Sequence, residues 1–362
     1  MSTSLPVANP AMLVLARESR GKRQGQVAQE MSEVLGVAVS QGYVSRAEAG
    51  RLNVAEDRLD AMAKVLGYPV ALLCSDPAAD GVGVGLVHHR KKVSLGAPAL
   101  RQIHSELALA RRQTAALVAA VGGRHHSFFR AELTEIDSPE EKAIELRDRW
   151  GVPPGPIASL VRVIEDAGGI VLVRDLGTSE IDAVSQWPDD GLPLFLLSSR
   201  APGDRFRFSL AHELGHLLLH REPGGTQDQE GQADRFASEL LMPAGVIRGQ
   251  LSGADIARVT ELKPRWGVSM AALIRRGLDL GALSDWQYRN LMIEMSVMGY
   301  RAQEPAAIAP ESPAAIADIV TGLLGRGHTR AQLAAMAGLL PAEFEQQYLK
   351  QLTSIQELSM QS

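Results

Sequence analysis

His212-Glu213-Leu214-Gly215-His216 places two imidazoles and a carboxylate within five residues. On a helix, residues four apart share a face, one turn apart. His212 and His216 can then converge on one zinc ion. Glu213 lies about 100° round the helix from His212. Its carboxylate reaches a water beside the metal rather than the metal, which is the position of a general base in hydrolysis. A catalytic zinc also needs a third protein ligand and an open position. The long three-histidine motif would need Gly at 219 and His at 222. The chain has Leu219 and Glu222, which excludes that type. Glu230-Gly231-Gln232-Ala233-Asp234 supplies two carboxylates on one face of a following helix. Glu230 is therefore assigned as third ligand, and Asp234 as acceptor for the outer N–H of a ligand imidazole. A bare His-x-x-x-His arises by chance on ordinary helices. Glu213 and the downstream acid pair together outweigh that reading. His220, one turn further, reads as a cation near a helix C-terminus. His88, His89, His104, His125, His126 and His328 read as surface or packing residues.

The elements that must position these groups follow from apolar spacing. Leu210, Leu214, Leu217 and Leu218 form a helical stripe within a predicted helix over 204–221. Ala233, Phe236, Ala237, Leu240 and Leu241 do the same for 228–241. Upstream, 139–150 and 156–167 read as helices, and 169–174, 181–187 and 193–198 as strands. Pro188-Asp189-Asp190-Gly191 is the turn joining the last two strands. Phe195–Ser199 is either an edge strand that could add a substrate peptide or an ordinary core strand. Both readings stand on sequence alone. The fold class expected is mainly α with a small β-sheet (α+β).

Residues 11–75 read as short helices punctuated by Gly21, Gly36, Gly50 and Gly67. Helix, Gly36 turn and helix over 26–49 suggest a helix-turn-helix. Its second helix would begin near Ser40 and present Ser40, Gln41, Tyr43, Ser45 and Arg46 to DNA. Glutamine suits adenine, arginine suits guanine or phosphate, and hydroxyls suit phosphates. A plain helical bundle also shows such residues, and 11–66 is nearly neutral, with eight basic and seven acidic side chains. Residues 86–130 are more basic: Arg90, Lys91, Lys92, Arg101, Arg111, Arg112, Arg124 and Arg130 stand against Glu106 alone. That segment suits either a polyanionic partner or a solvated helix face.

The chain has 362 residues and a net charge of −5, enough for two or three domains. Cys74 is the single cysteine, so there is no intrachain disulfide and no cysteine-rich zinc module. The N-terminus lacks a signal-peptide pattern, and no apolar run spans a bilayer. A cytoplasmic location is expected. The expected divisions are 1–75 (helix-turn-helix), 76–137 (basic linker and helix), 138–303 (zinc domain) and 304–362 (C-terminal helical segment, set off by Pro-rich 305–313).

Two resemblances extend these readings. Through LARESRGKRQGQVAQ, GYVSRAEAG and LDAMAKVLGYP, residues 12–73 resemble the xenobiotic-response-element (XRE), phage-repressor-like helix-turn-helix family. Val37-Ala38-Val39 makes the turn longer than that family's usual one. Through WGVPPGPI, IDAVSQW, RFRFSLAHELGHLLLH, EGQADRFASELLMP and GYRAQEP, residues 138–300 resemble the ImmA/IrrE metallo-endopeptidase family. The two families commonly occur fused in this order. The resemblance implies a zincin-like domain with one zinc held by His212, His216 and Glu230, and Glu213 as base. It implies a regulator that binds operator DNA and cleaves, or controls cleavage of, a repressor or antitoxin-like protein in stress, phage or mobile-element control. A non-proteolytic regulator or antitoxin whose zinc domain senses or scaffolds is the alternative, and a general peptidase that binds protein through its N-terminal domain is a third reading. A helix-turn-helix reading palindromic sites is expected to dimerise.

Overall fold

The computed structural model describes residues 6–76, 96–131, 133–189, 191–221 and 226–349, and the backbone of 88–89. The turn-rich stretch 77–85, the basic residues Arg90, Lys91 and Lys92, and Asp190 and Glu222 lie outside the described residues. The chain divides into two compact units. One comprises 1–85, 94–124 and 314–362; the other comprises 86–93 and 125–313.

In the first unit, α1 (Pro10–Ser19), α2 (Gln24–Leu35), α3 (Gln41–Glu48), α4 (Glu56–Leu66) and α5 (Val70–Leu73) surround Met12, Leu13, Met31, Val44, Leu59 and Met62. Asn9 caps α1 by accepting from Ala11 N, and Ser40 caps α3 by accepting from Tyr43 N. Gly36 ends α2 at φ 69°, where a side chain would be strained. Residues 36–40 form the turn, which Val39 anchors by donating its N–H to Ser32 Oγ at 2.8 Å.

The sequence reading leaves 97–120 and 314–350 apart from these helices. Here α6 (Ala97–Ala120) packs on α1, and α15 (Ala315–Gly325) and α16 (Arg330–Met336) pack on α6. The reason is the apolar stripe Ile103, Leu107, Ala110 and Leu117 on α6, which needs a partner and is fully buried. The C-terminal helical segment consists of α15, α16, α17 (Pro341–Phe344) and a π-turn over 345–349. The basic stretch is not one surface. Arg111 is buried, and burial lowers its pKa to about 10. Arg101 pairs with Glu18. Arg130 belongs to the other unit, where it lies over the Trp187 ring and donates to Leu217 O and Trp187 O.

The second unit joins a small sheet to helices. The helices are α7 (Pro139–Arg149), α8 (Leu160–Asp166), α9 (Gly203–Leu219), α10 (Gln227–Leu241), α11 (Ala244–Leu251), α12 (Ile256–Trp266), α13 (Met270–Asp279) and α14 (Asp285–Val297). Ser138 and Glu141 form a capping box that starts α7, and Thr226 with Gln229 does so for α10. α8 begins at Leu160 rather than near 156, because Ser159 is its N-cap.

The sheet runs β1 (His88–His89), β3 (Ala183–Gln186), β4 (Leu194–Ser198), β2 (Ile170–Arg174). β2 and β4 are parallel, and β3 is antiparallel to both β4 and β1. β4 is therefore central and buried along its whole length. This settles the two readings of Phe195–Ser199. It is a core strand, paired on both sides, with no free edge for a substrate. Its unbroken apolar run, Leu194 to Leu197, is what a strand buried on both faces requires. Helix α9 packs on β3 and β4, and α10 packs on α9 and α7. Arg147 ties α7 to the end of α10 by donating to Leu240 O at 2.9 Å. Lys263, buried on α12, holds the start of α9 through Asp204 at 3.0 Å. No helix among the described residues is long and apolar enough to cross a membrane.

Candidate metal centre

The separation of four residues puts His212 and His216 on the buried side of α9, with their Nε2 atoms 3.0 Å apart. Helix α10 brings Glu230 to the same point. Its Oε1 lies 3.3 Å from His216 Nε2 and its Oε2 3.5 Å from His212 Nε2. One ligand atom from each of these three residues lies within 4.8 Å of the others. Close approach of the helices makes this reach available. A Cβ on Gly215 would meet Phe236 Cδ1 at 3.0 Å and Ala233 Cα at 3.3 Å, so a larger residue there would push α10 outward. That is a physical reason for the glycine in His-Glu-Leu-Gly-His.

The outer nitrogens fix the tautomers. His212 Nδ1 faces Asp234 Oδ1 at 2.8 Å, so Nδ1 carries the proton and donates it. Asp234 can do this because it sits one turn beyond Glu230. His216 Nδ1 lies 2.9 Å from His220 Nδ1, and His220 Nε2 lies 2.8 Å from Gln232 Oε1. Gln232 Oε1 only accepts, so His220 donates from Nε2 and accepts at Nδ1. His216 then donates from Nδ1 and turns a lone pair at Nε2 toward the site. His220 is thus buried and neutral, not a helix-terminal cation; burial lowers its pKa to about 4. Nothing in its spacing from His216 distinguishes these roles. The partner that decides, Gln232, is on another helix.

The electrostatics call for positive charge where these atoms meet. Burial works against charge on His212, but Asp234 and Glu230 outweigh it and raise its pKa to about 9. Burial works against the Glu230 carboxylate too, and His212 and His216 outweigh that, holding it well below the ordinary carboxylate range. Two imidazole nitrogens and one carboxylate are a donor set suited to zinc in a catalytic site.

Glu213 points to the sheet. Its Oε2 accepts from Ser185 Oγ on β3 at 2.6 Å. Its Oε1 is buried without a hydrogen-bond partner. Burial pushes its pKa up, against the pull of His216 and His212. A buried carboxylate with one oxygen anchored and one open is equipped to take up a proton. Ser185 was not singled out from sequence; it lies within IDAVSQW, but only strand pairing brings it to Glu213.

In the first unit, Ser40, Gln41 and Arg46 are exposed, and Tyr43 and Ser45 are half-buried. Ser40 Oγ serves as the cap already described. The guanidinium of Arg58 lies over the Tyr43 ring, 4.5 Å from its centre. Gln41 Nε2 donates to Gln24 Oε1 at 2.7 Å, and Gln24 Nε2 donates to Glu48 Oε2 at 2.8 Å. Gln24, absent from the sequence-based set, thus orients Gln41 at the start of α3. Arg46 makes a local contact, donating from Nε to Gly42 O at 3.2 Å.

A helical unit with a helix-turn-helix, and a second unit with an HExxH helix on a small sheet, define a DNA-binding module joined to a zincin-like module. Comparison with family models agrees with that division. Residues 12–73 match a helix-turn-helix domain, and residues 165–277 match the IrrE N-terminal-like domain of a zinc metallopeptidase family. Both matches lie in one polypeptide. No curated protein matches it.

Proposed function

We propose that the chain is a DNA-binding transcriptional regulator whose second unit is a zinc-dependent endopeptidase acting on a repressor or antitoxin-like protein. The observation that carries the reading is the meeting of His212 Nε2, His216 Nε2 and the Glu230 carboxylate beside a Glu213 with one open oxygen. Zinc held by His212, His216 and Glu230 would act as a Lewis acid on the peptide carbonyl and make water a stronger nucleophile. Glu213 Oε1 takes the proton from the attacking water and returns it to the leaving amide nitrogen. Ser185 holds the other carboxylate oxygen and so fixes the plane of the base. Asp234, and the pair His220–Gln232, hold the two imidazoles in the tautomers that face the metal. The test is to incubate the zinc-loaded protein with purified helix-turn-helix repressor and antitoxin proteins and follow intact masses, with a chelator in parallel. Discrete chelator-sensitive fragments are expected. An intact partner with zinc bound one to one would leave a sensor or scaffold role.

The tautomer-holding groups give a second expectation. Asp234→Asn and His220→Phe are each expected to weaken zinc binding about 10–100-fold, read by competition with a chromophoric chelator. Unchanged zinc affinity in both would show that the outer nitrogens do not matter.

For the first unit, Arg46→Ala is expected to cost about 1–3 kcal/mol in operator binding if Arg46 reads a base. The measurement is a gel shift at fixed salt against the operator and single-base variants. A loss that is uniform across sequences would assign Arg46 to phosphate instead.

A further inference from the structure

Helix α14 has two apolar faces. On the inner one, Leu291 and Met295 are buried in the core of the second unit, and Tyr288 packs against that core. On the opposite face, Trp286, Ile293 and Val297 are 69%, 61% and 82% exposed, and Asn290 between them is exposed too. Steps of four, three and four residues align these four side chains in one stripe. A helix that had only to cover its own core would carry polar residues there.

The stripe has the pattern of one side of a two-stranded coiled coil. Trp286 and Ile293 take d positions, and Asn290 and Val297 take a positions. Arg289 then falls at g, and Glu294, five residues on, at the following e. In a parallel pair of such helices, g of one copy lies beside the next e of the other. Arg289 of each copy therefore meets Glu294 of the other, twice over. In an antiparallel pair each flank meets its own kind, Arg289 against Arg289 and Glu294 against Glu294. Charge thus selects the parallel arrangement. A single asparagine at an a position fixes register in the same way, because the two Asn290 amides meet across the seam only when the copies run parallel. Both charges are available for this role. Arg289 donates from Nε to Asp285 O at 3.2 Å, within its own helix, and neither Arg289 nor Glu294 has an ion-pair partner among the described residues.

We infer that the exposed face of α14 is the seam of a homodimer, occupied by α14 of a second copy, parallel and in register. Its 13 residues would be too few for a free coiled coil, but the inner face already holds this helix folded. The stripe is much smaller than a standard interface of about 1,600 Å², so the dimer forms at micromolar concentration. Each copy brings one helix-turn-helix unit. The pair then supplies the two modules that an operator with two half-sites takes.

The test is sedimentation velocity on the full-length protein from about 1 to about 100 μM, the range suited to a small interface. A monomer–dimer equilibrium is expected. Ile293→Asp should raise the dimer Kd at least about tenfold and leave Tm unchanged, since the side chain lies outside the core. Arg289→Glu and Glu294→Arg should each weaken the dimer, and the two together should restore it. A wild type that stays monomeric over the whole range overturns the inference, and so does a dimer that survives Ile293→Asp. A double charge reversal no tighter than either single one overturns the parallel pairing.

A crosslink reads the direction independently. Val297→Cys in a Cys74→Ser background should form a disulfide-linked dimer on mild oxidation, because parallel copies bring position 297 against itself. An antiparallel seam would set the two cysteines about 16 Å apart. A dimer that fails to crosslink therefore overturns the parallel seam.

Discussion

Glu213→Gln is expected to bind zinc one to one and to cut protein substrates about 10²–10⁴-fold more slowly than wild type, the range over which a positioned general base contributes. The amide keeps the size of the carboxylate and can still contact Ser185 Oγ, so the packing around α9 should survive. What it loses is the ability to take a proton at the open oxygen. The contrast between metal content and turnover is the readout. Equal loss of zinc would mean that Glu213 matters to the site's assembly rather than to proton transfer. Equal turnover would remove Glu213 from the proton transfer. Burial raises the Glu213 pKa, which strengthens it as a base but keeps it protonated to a higher pH. The change therefore has a direction, and removing the carboxylate should also remove the acid limb of the rate–pH profile.

The second large effect concerns the metal. Zinc that binds the folded unit and not the unfolded chain stabilises it by about 2.7 kcal/mol at 100 times its Kd. For a unit of this size that corresponds to roughly 5–10 °C in Tm. His216→Ala removes one of the three proposed ligand atoms and should abolish that zinc-dependent rise, together with stoichiometric zinc binding. Differential scanning fluorimetry with and without zinc measures it. A preserved shift in His216→Ala would place the metal elsewhere. The variant also removes the His216 Nδ1 that faces His220 Nδ1, so its zinc-free Tm is the proper reference.

Several features were legible because the physics that sets them is local. A helix repeats every 3.6 residues, so His212 and His216 had to share a face, and Leu210, Leu214, Leu217 and Leu218 had to turn that helix toward a core. The same period puts Glu230 and Asp234 together. The helix-ending Gly36 was an equally local signal; Ser40 and Ser138 act just as locally, but their role as caps was read only from the structure. The α+β class and the helix-turn-helix followed from them.

Everything that depends on one element meeting another was decided by the tertiary structure. Strand order turned Phe195–Ser199 from a candidate edge into the centre of the sheet, because an apolar run does not say how many neighbours will pair with it. Only that order placed Ser185 against Glu213 and the backbone of His88 against Ser185. His220 became a neutral hydrogen-bonding partner because Gln232 arrives from another helix and burial removes the water that would stabilise its charge. Helix α6 and the C-terminal helices joined the N-terminal unit because amphipathic faces demand partners without naming them. The HExxH helix was thus written in the sequence as a set of candidate ligand and base groups; the packing of α10, β3 and β1 around it decided what those groups face.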